Sequence, residues 1–488
     1  MPASDTNRMH DAWEVIIGLE VHAQLSTRSK MYARDAVTYG EPPNTVTSPL
    51  TLGHPGTLPR VNRAAIDMAI RMGLATECSI HRFNGFARKN YFYGDLPKGY
   101  QITQDTTPIC TGGVVRVRTD RGETAIRVQR IHMEEDAGKS MHDIDPYNTL
   151  IDLNRAGTPL IEIVTEPDLR TPQEAYAFLQ EVRKLVRHLD ICDGNMEEGS
   201  LRCDANVSVR RRGETALGQK VEVKNMNSMR HVMKAIEFEA ARQIEMVDAG
   251  EPIEQQTRSF DASDGSTFAL RSKEEANDYR YFPEPDLPPV MLTEADIDAV
   301  RSAMPELPAA ILARYTSELG LSDYDAGILS EDKAFSAFYD EVVHHHDDPK
   351  AAANWMIGPV RSWLNDQARP IEDLPVPPAT IATVLDLIAD GTLNFASATQ
   401  RLWPRLLDSP DADPADLAAE LGIVQDRDTE AIEALVDDVL AEWPEKVAEY
   451  RAGKKGLLGL FMGQVMKRSK GSADPKLANE LLTRKLHS

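Results

Sequence analysis

Along residues 202–209, Arg202, Asp204, Asn206 and Ser208 alternate with Cys203, Ala205, Val207 and Val209. A period of two predicts a strand with one apolar face and one face bearing a cation, a carboxylate, an amide and a hydroxyl. Other segments repeat the pattern. Leu19 and Val21 face one way while Gly18, Glu20 and His22 face the other, and Val221 and Val223 alternate with Glu222 and Lys224. Glu134, Glu135 and Asp136 end a further strand-like run and enter a turn containing glycine.

To about residue 290 the chain consists of short alternating runs separated by Gly, Pro and Asn. "VIIGLEVHAQL", "GGVVRVRT", "TAIRVQRIHM", "LIDLNRAG", "PLIEIVTE", "SLRCDANVSV" and "KVEVKNMNS" all read as strands. Two helices interrupt them. The first opens on a capping box, Thr171 with Glu174, has Pro172 at its first position, and buries Ala175, Phe178, Leu179, Val182, Leu185, Val186 and Leu189. The second is capped by Ser228, carries Val232, Met233, Ile236, Ala240 and Ile244 on one face, and stops at Gly250. Strands and helices mix without a regular βαβ beat, so the expected class is α+β. The proline-rich stretch 281–290 predicts a stiff extended connector. Beyond it, apolar spacings of three and four predict helices almost throughout, with a Pro/Asp-rich break before the last of them. The seams fall near 293 and 408, giving a mixed domain 1–293, a helical domain 294–407 and a helical tail 408–488. No internal repeat stands out.

A chain of 488 residues suits about three domains. Its hydrophobic share of 42% allows packed cores, and Cys78, Cys110, Cys192 and Cys203 form no C-x-x-C pair and no disulfide framework. Reduced thiols in a cytoplasmic protein are the simple reading. No signal-peptide core and no membrane-length apolar stretch occurs. The net charge of −23 argues against nucleic acid as a global sum, but a local basic patch can still sit on an acidic protein.

Three stretches could carry chemistry. One alternating polar face by itself is the wet side of a sheet. Repeated, with Glu20, Glu134, Glu135, Asp204 and Glu222 gathered, it would repel itself without a cation. Oxygen-rich sites of this kind suit Mg²⁺. His22 reads equally as a ligand or a hydrogen-bonded core histidine, Zn²⁺ lacks its usual cysteine spacing, and no Walker A or kinase glycine loop is present. In 84–104, Arg88, Lys89 and Lys98 interleave with Phe86, Tyr91, Phe92, Tyr93 and Tyr100, which suits phosphate or RNA-end contacts, or a surface loop with its aromatics packed down. Near the C-terminus, Lys454, Lys455, Lys467, Arg468, Lys470 and Lys476 form a basic cluster, read as an RNA-backbone patch or a solvated helix face.

Taken together, "IIGLEVHAQL", "RKNYFYGDLPKGYQI", "HMEEDAGKS", "DLNRAGTPLIEIVTEPD", "GSLRCDANVSV", "VEVKNMNS", "RSKEEANDYRYFPEPDLPP", "GQVMK" and "KGSADP" resemble, in order, the B-subunit family of the aspartyl/glutamyl-tRNA amidotransferases, from about Glu14 onward. The resemblance implies a cradle-like α+β catalytic domain related to glutamine synthetase, then a helical domain and a tRNA-binding helical tail. It implies a heterotrimer with an amidase A subunit and a small C subunit. It also implies ATP- and Mg²⁺-dependent phosphorylation of the side-chain carboxylate of Glu-tRNA(Gln) or Asp-tRNA(Asn), followed by amidation. On that basis Glu20, His22, Glu134, Glu135, Asp204 and Glu222 are assigned to a metal or metal-water shell, with Asn206 orienting. Arg202 and Lys224 are assigned to phosphate or carboxylate charge, and Lys89 and Lys98 to ATP or the tRNA end. Lys454, Lys455, Lys467, Arg468 and Lys470 are assigned to tRNA. Many family members carry a C-x-x-C where this chain has Ser48 and Thr51, so a structural zinc is not expected. Two other readings stand beside this one: a non-catalytic tRNA scaffold, and a free-standing ammonia ligase for a small acid, which would have no use for a basic tail.

Overall fold

The computed structural model describes residues 12–142, 144–271, 279–425, 429–469 and 473–487. It divides into two compact units, one ending at Leu307 and the other beginning at Pro308.

The first unit is built on a mixed sheet of thirteen strands. Those used below are β1 (Trp13–Gln24), β2 (Ala87–Asn90), β3 (Tyr100–Thr103), β4 (Val114–Thr119), β5 (Gly122–Glu135), β6 (Pro159–Thr165), β7 (Leu201–Arg211), β8 (Val221–Met226), β9 (Thr257–Phe260), β10 (Thr267–Arg271) and β11 (Phe282–Pro283). Their order is β10-β9-β8-β7-β1-β6-β5-β3-β2-β11, with β4 forming a hairpin on β5. Every pair along this path is antiparallel except β8 with β9.

The period-two reading holds through the centre of the sheet. Leu19, Val21, Ile131, Met133, Ile161, Ile163, Cys203, Ala205, Val207, Val221 and Val223 are all buried on one side. Helices α2 (Pro172–His188) and α3 (Met229–Asp248) pack over that side. Both start where the sequence places them. Thr171 and Glu174 form the reciprocal capping box, and the Ser228 side chain accepts from the His231 N–H. Along α2, Phe178, Leu179, Val182 and Val186 are fully buried, and each large apolar side chain so buried contributes about 1.5–3 kcal/mol.

Three expectations need correction. A third helix, α1 (Arg63–Ala75), precedes the two foreseen; Asn62 caps it, and Ala65, Ile66, Ala69, Ile70 and Met72 join the same core. Its surface is apolar over a short run with few charges, so its period does not stand out. The connector 281–290 is extended, but its start pairs with β2 as an edge strand, and Arg88 holds Glu284 at 2.7 and 2.8 Å. The seam near 293 is displaced to 307, because α4 (Glu294–Ser302) buries Ile297 and Val300 and its Asp296 accepts from Arg63 of α1 at 2.9 Å.

The second unit is helical and has two separate apolar clusters. The first involves α5 (Lys333–His345), α6 (Pro378–Ala389) and α7 (Pro414–Glu420), and runs on through Leu417, Ala418 and Ile423. The expected seam at 408 therefore cuts through this core. The second gathers α8 (Thr429–Glu442), α9 (Leu458–Arg468) and α10 (Pro475–His487) around Val436, Phe461, Val465 and Leu482. Among the described residues, no helix is long and apolar enough to cross a membrane.

Candidate functional site

The face of the sheet opposite α2 and α3 carries the chemistry, and strand register assembles it. Glu20 on β1 lies opposite Asp204 on β7; His22 lies opposite Glu162 on β6; Glu162 lies opposite His132 on β5; Asn206 lies opposite Glu222 on β8. Neighbouring strands are about 4.8 Å apart. Residues far apart in the chain thus become side-by-side neighbours.

Two donor groups result. One ligand atom each from His22, Glu134 and Glu162 lie within 4.8 Å of one another, and so do one each from Glu20, Asp204 and Glu222. In the first group His22 Nε2 is 3.1 Å from Glu162 and 3.9 Å from Glu134, and His132 Nε2 is 3.4 Å from Glu162. In the second, Asn206 Nδ2 donates to Glu20 at 2.9 Å and Thr257 Oγ1 donates to Glu222 at 2.9 Å. Lys224 Nζ sits on Asp204 at 2.5 Å and on Glu222 at 2.9 Å.

Proton affinities follow from this crowding. Burial alone would lower the His22 pKa, but Glu162, Asp204 and Glu134 raise it to about 9. Glu162 is penalised by burial yet held well below the ordinary carboxylate value by the two histidines. Glu20 is pushed up by burial and by Glu162 and Glu222, against the Asn206 hydrogen bond and Lys224. Burial also disfavours charge on Glu222 and Lys224; Lys224 and the Thr257 hydroxyl overcome it at Glu222, lowering its pKa, and Asp204 together with Glu222 overcomes it at Lys224, raising its pKa. Two adjacent anionic groups on a half-buried surface form a site suited to a cation.

Two cavities open over this face, of about 1160 and 780 Å³. They share His22, Lys89, Glu134, Asp204 and Lys224. The smaller lies within the range of about 300–1,000 Å³ that is usual for small-molecule sites, and the larger somewhat exceeds it. Lys89 projects from β2, with its ammonium 4.9 Å from the centre of the Tyr279 ring. Arg202 lines the larger cavity and donates to the buried Asp136 at 2.8 Å, which also accepts from Gln24 at 2.7 Å. Arg155, 3.7 Å from Asp136, shares that carboxylate with Arg202.

Glu135 and Lys98 do not join this assembly. Adjacent residues of a strand point to opposite faces. Glu134 faces the cavities, while Glu135 turns away, accepts from the Ile102 N–H at 3.1 Å and pairs with Lys98. The Lys98–Glu135 pair lines a void of about 10 Å³ beside Tyr32 and Thr51, too small for more than a water. Conversely, Glu162 and His132 belong to the site although the sequence reading omits them. The signal is present: Glu162 is the one charged residue in the otherwise apolar strand "PLIEIVT".

This geometry gives the comparison with known families its meaning. Residues 15–298 match the family described as the GatB/GatE catalytic domain, and residues 337–486 match the one described as the GatB domain. The chain belongs to the GatB family. A relative from Myxococcus xanthus is 47% identical over 486 residues, covering all of both chains. One from Anaeromyxobacter sp. (strain K) is 49% identical over 491 aligned positions, again covering both completely, and one from Syntrophotalea carbinolica is 47% identical over 98% of this chain and 99% of its own. Each of these relatives is named as the B subunit of an aspartyl/glutamyl-tRNA(Asn/Gln) amidotransferase.

In place of a C-x-x-C, Ser48 donates to Asp35 at 2.9 Å and Thr51 also donates to it; the buried Lys30 lies 3.7 Å from the same carboxylate. In the tail, most of the basic residues have neighbours of opposite charge or an aromatic ring. Lys454 pairs with Glu449 at 3.1 Å, Arg468 pairs with Glu442, and Lys455 stands 4.3 Å over the Tyr450 ring. Lys467 lies in the last turn of α9, and Lys470 lies outside the described residues. Arg484 and Lys485 on α10 extend the basic set and pair with Glu433, Lys485 also with Asp437.

Proposed function

We propose that this chain is the B component of a tRNA-dependent amidotransferase. It transfers the γ-phosphate of ATP to the side-chain carboxylate of Glu-tRNA(Gln) or Asp-tRNA(Asn) and amidates the acyl phosphate with ammonia from a glutaminase A subunit. The observation that carries this reading is the full-length likeness to proteins of that name, on a chain whose sheet gathers two carboxylate groups beneath large cavities. A small C subunit completes the assembly. The unpaired, buried cysteines fit a cytoplasmic location. The cradle-like description of the first domain and its kinship with the glutamine synthetase sheet belong to the same proposal. They draw support from a largely antiparallel sheet that turns its carboxylates toward open cavities.

In the first step a substrate carboxylate oxygen attacks the γ-phosphorus and ADP leaves; in the second, ammonia attacks the acyl carbon and phosphate leaves. Bringing two anions together is the electrostatic difficulty, so positioning and charge neutralisation dominate. Glu20, Asp204 and Glu222 form an all-oxygen donor set of the kind Mg²⁺ prefers, and His22, Glu134 and Glu162 form a mixed set. Bound there, Mg²⁺ would supply charge neutralisation to phosphate oxygens. The remainder falls to the chain itself. Lys89, Lys224 and Arg202 bring positive charge to the larger cavity, and Asn206 fixes the Glu20 carboxylate by donating to it. The helical tail, with Lys454, Lys455, Lys467, Arg468 and Lys470, takes the role of tRNA-backbone contact.

The test is ATP hydrolysis by the purified chain assembled with its A and C partners and Mg²⁺, with Glu-tRNA(Gln), Asp-tRNA(Asn) and uncharged tRNA compared. Stimulation confined to a misacylated tRNA is expected and names the substrate. Absence of stimulation with tRNA binding intact would leave a non-catalytic scaffold.

A further inference from the structure

The ammonium of Lys224 occupies the place where a cation would bind. It lies 2.5 Å from Asp204 Oδ2 and 2.9 Å from Glu222 Oε1, two of the three carboxylates whose oxygens converge within 4.8 Å. An ion ligated by those oxygens at about 2.1 Å would take up nearly the same point. Lysine and divalent ion therefore exclude each other.

The frame around this point does not depend on the lysine alone. Glu20 is fixed by the Asn206 amide and Glu222 by the Thr257 hydroxyl, each at 2.9 Å. Lys224 itself is a third exposed, stands two residues from Glu222 on the same strand face, and lines both cavities. Its four-carbon stem can swing the charge by several ångströms without any backbone change.

We propose that Lys224 is a tethered counter-ion: it fills the Glu20/Asp204/Glu222 cradle when no divalent cation is bound, and is displaced into the shared cavity when one arrives. Metal occupancy is thereby coupled to delivery of a positive charge where the two cavities meet. Lys224 acts as a positioning residue through the cradle and, once released, as a ligand for an anionic phosphate or carboxylate group. The inference rests on the cation-binding role proposed for this carboxylate group.

The test uses the full chain in its amidotransferase complex, without nucleotide or tRNA, and Mn²⁺ as the probe. Free Mn²⁺ is followed by electron paramagnetic resonance for the wild type, Lys224→Met and Asp204→Asn. Loss of the competitor should tighten binding in Lys224→Met by about tenfold or more, within the range that altering a metal's surroundings produces. Asp204→Asn should weaken it. Unchanged or weaker binding in Lys224→Met, with Asp204→Asn still losing affinity, overturns the counter-ion role and leaves the metal site standing. Indifference of Mn²⁺ binding to both substitutions overturns the metal site and the proposal together.

A second measurement needs no variant. Acylation of Lys224 by an amine-reactive anhydride, read by mass spectrometry on the wild-type complex, should rise several-fold on adding Mn²⁺, because the amine leaves its carboxylates. Constant or reduced labelling overturns the proposal even if Lys224→Met fails to fold.

Discussion

The catalytic sheet and the C-terminal tail treat charge in opposite ways. On the sheet, carboxylates from β1, β5, β6, β7 and β8 are pressed together, and Lys224, His22 and His132 only partly offset them. In the tail, Lys454 and Arg468 of the basic cluster are met by Glu449 and Glu442, and Arg484 and Lys485 on α10 by Glu433, Lys485 also by Asp437. The sheet thus concentrates negative charge, while part of the tail's positive charge is already paired, so that RNA phosphates would have to displace carboxylates there. A charge count along the chain cannot distinguish an unmet charge from a paired one. Geometry can.

The most direct way to break the contrast is to remove the sheet's anions. Glu20→Ala or Asp204→Ala should lower tRNA-dependent ATP hydrolysis by roughly 10²–10³-fold, while glutaminase activity of the proposed A subunit persists. Full transamidation by either variant would detach the carboxylate groups from catalysis. Next in size is the buried Asp136. Burial opposes its charge, but Arg202 and Arg155 hold its pKa below the usual 3.8, so its contribution to stability is complete above that value and is lost as the pH falls through the lowered one. Asp136→Asn should cost about 3–5 kcal/mol at neutral pH by leaving the Arg202 guanidinium without its carboxylate, and should flatten the acid limb of the stability curve. Denaturant unfolding from about pH 2 to about pH 7, which brackets the carboxylate range, reads both effects.

Sharper still is the pair Glu162→Gln and Glu135→Gln. The first should weaken Mn²⁺ binding by roughly 10–100-fold and the second should leave it nearly unchanged, since the two carboxylates lie on opposite sides of the sheet. Equal effects would contradict that sidedness. For the tail, truncation after Gln425 should weaken tRNA binding about tenfold or more at low salt with nucleotide binding retained. Truncation after Asp408 should in addition lower the melting temperature, because it strips Leu417, Ala418 and Ile423 from the second core. The smallest effect belongs to single tail cations: Lys467→Glu should reduce the salt slope of tRNA binding by about one. Unaltered slopes across the tail would return it to a solvated helix face.

Much of this architecture is legible in the chain. The alternation through Leu19–His22, Cys203–Val209 and Val221–Lys224 marks both the strands and the face each side chain takes, and Thr171 and Ser228 mark two helix starts at the correct residues. The same rule, applied strictly, separates Glu134 from Glu135; grouping them by proximity in sequence puts Glu135 in the wrong place. Glu162 escapes notice as one charge in an otherwise apolar strand, whereas His132 stands two residues before Glu134 and the period of two already puts both on one face; each acquires meaning only from its neighbours across the ladder. The seams at 293 and 408 fail for a related reason. Apolar spacing shows that α4 and α7 are helices but not which core receives them.

The sequence by itself determined local form: strand periodicity, helix caps, the chemical character of each face and, through long motifs, the family. Tertiary structure decided which faces meet. Register places Glu20 against Asp204 and His22 against Glu162, and a slip of one residue would turn every one of these side chains to the other side. It also decided which charges remain unmatched, because Coulombic pairing depends on distances of a few ångströms between residues that lie far apart along the chain. The seating of Lys224 on Asp204 and Glu222 is the clearest case: its presence two residues from Glu222 is readable, but its contact with Asp204 across the ladder is not.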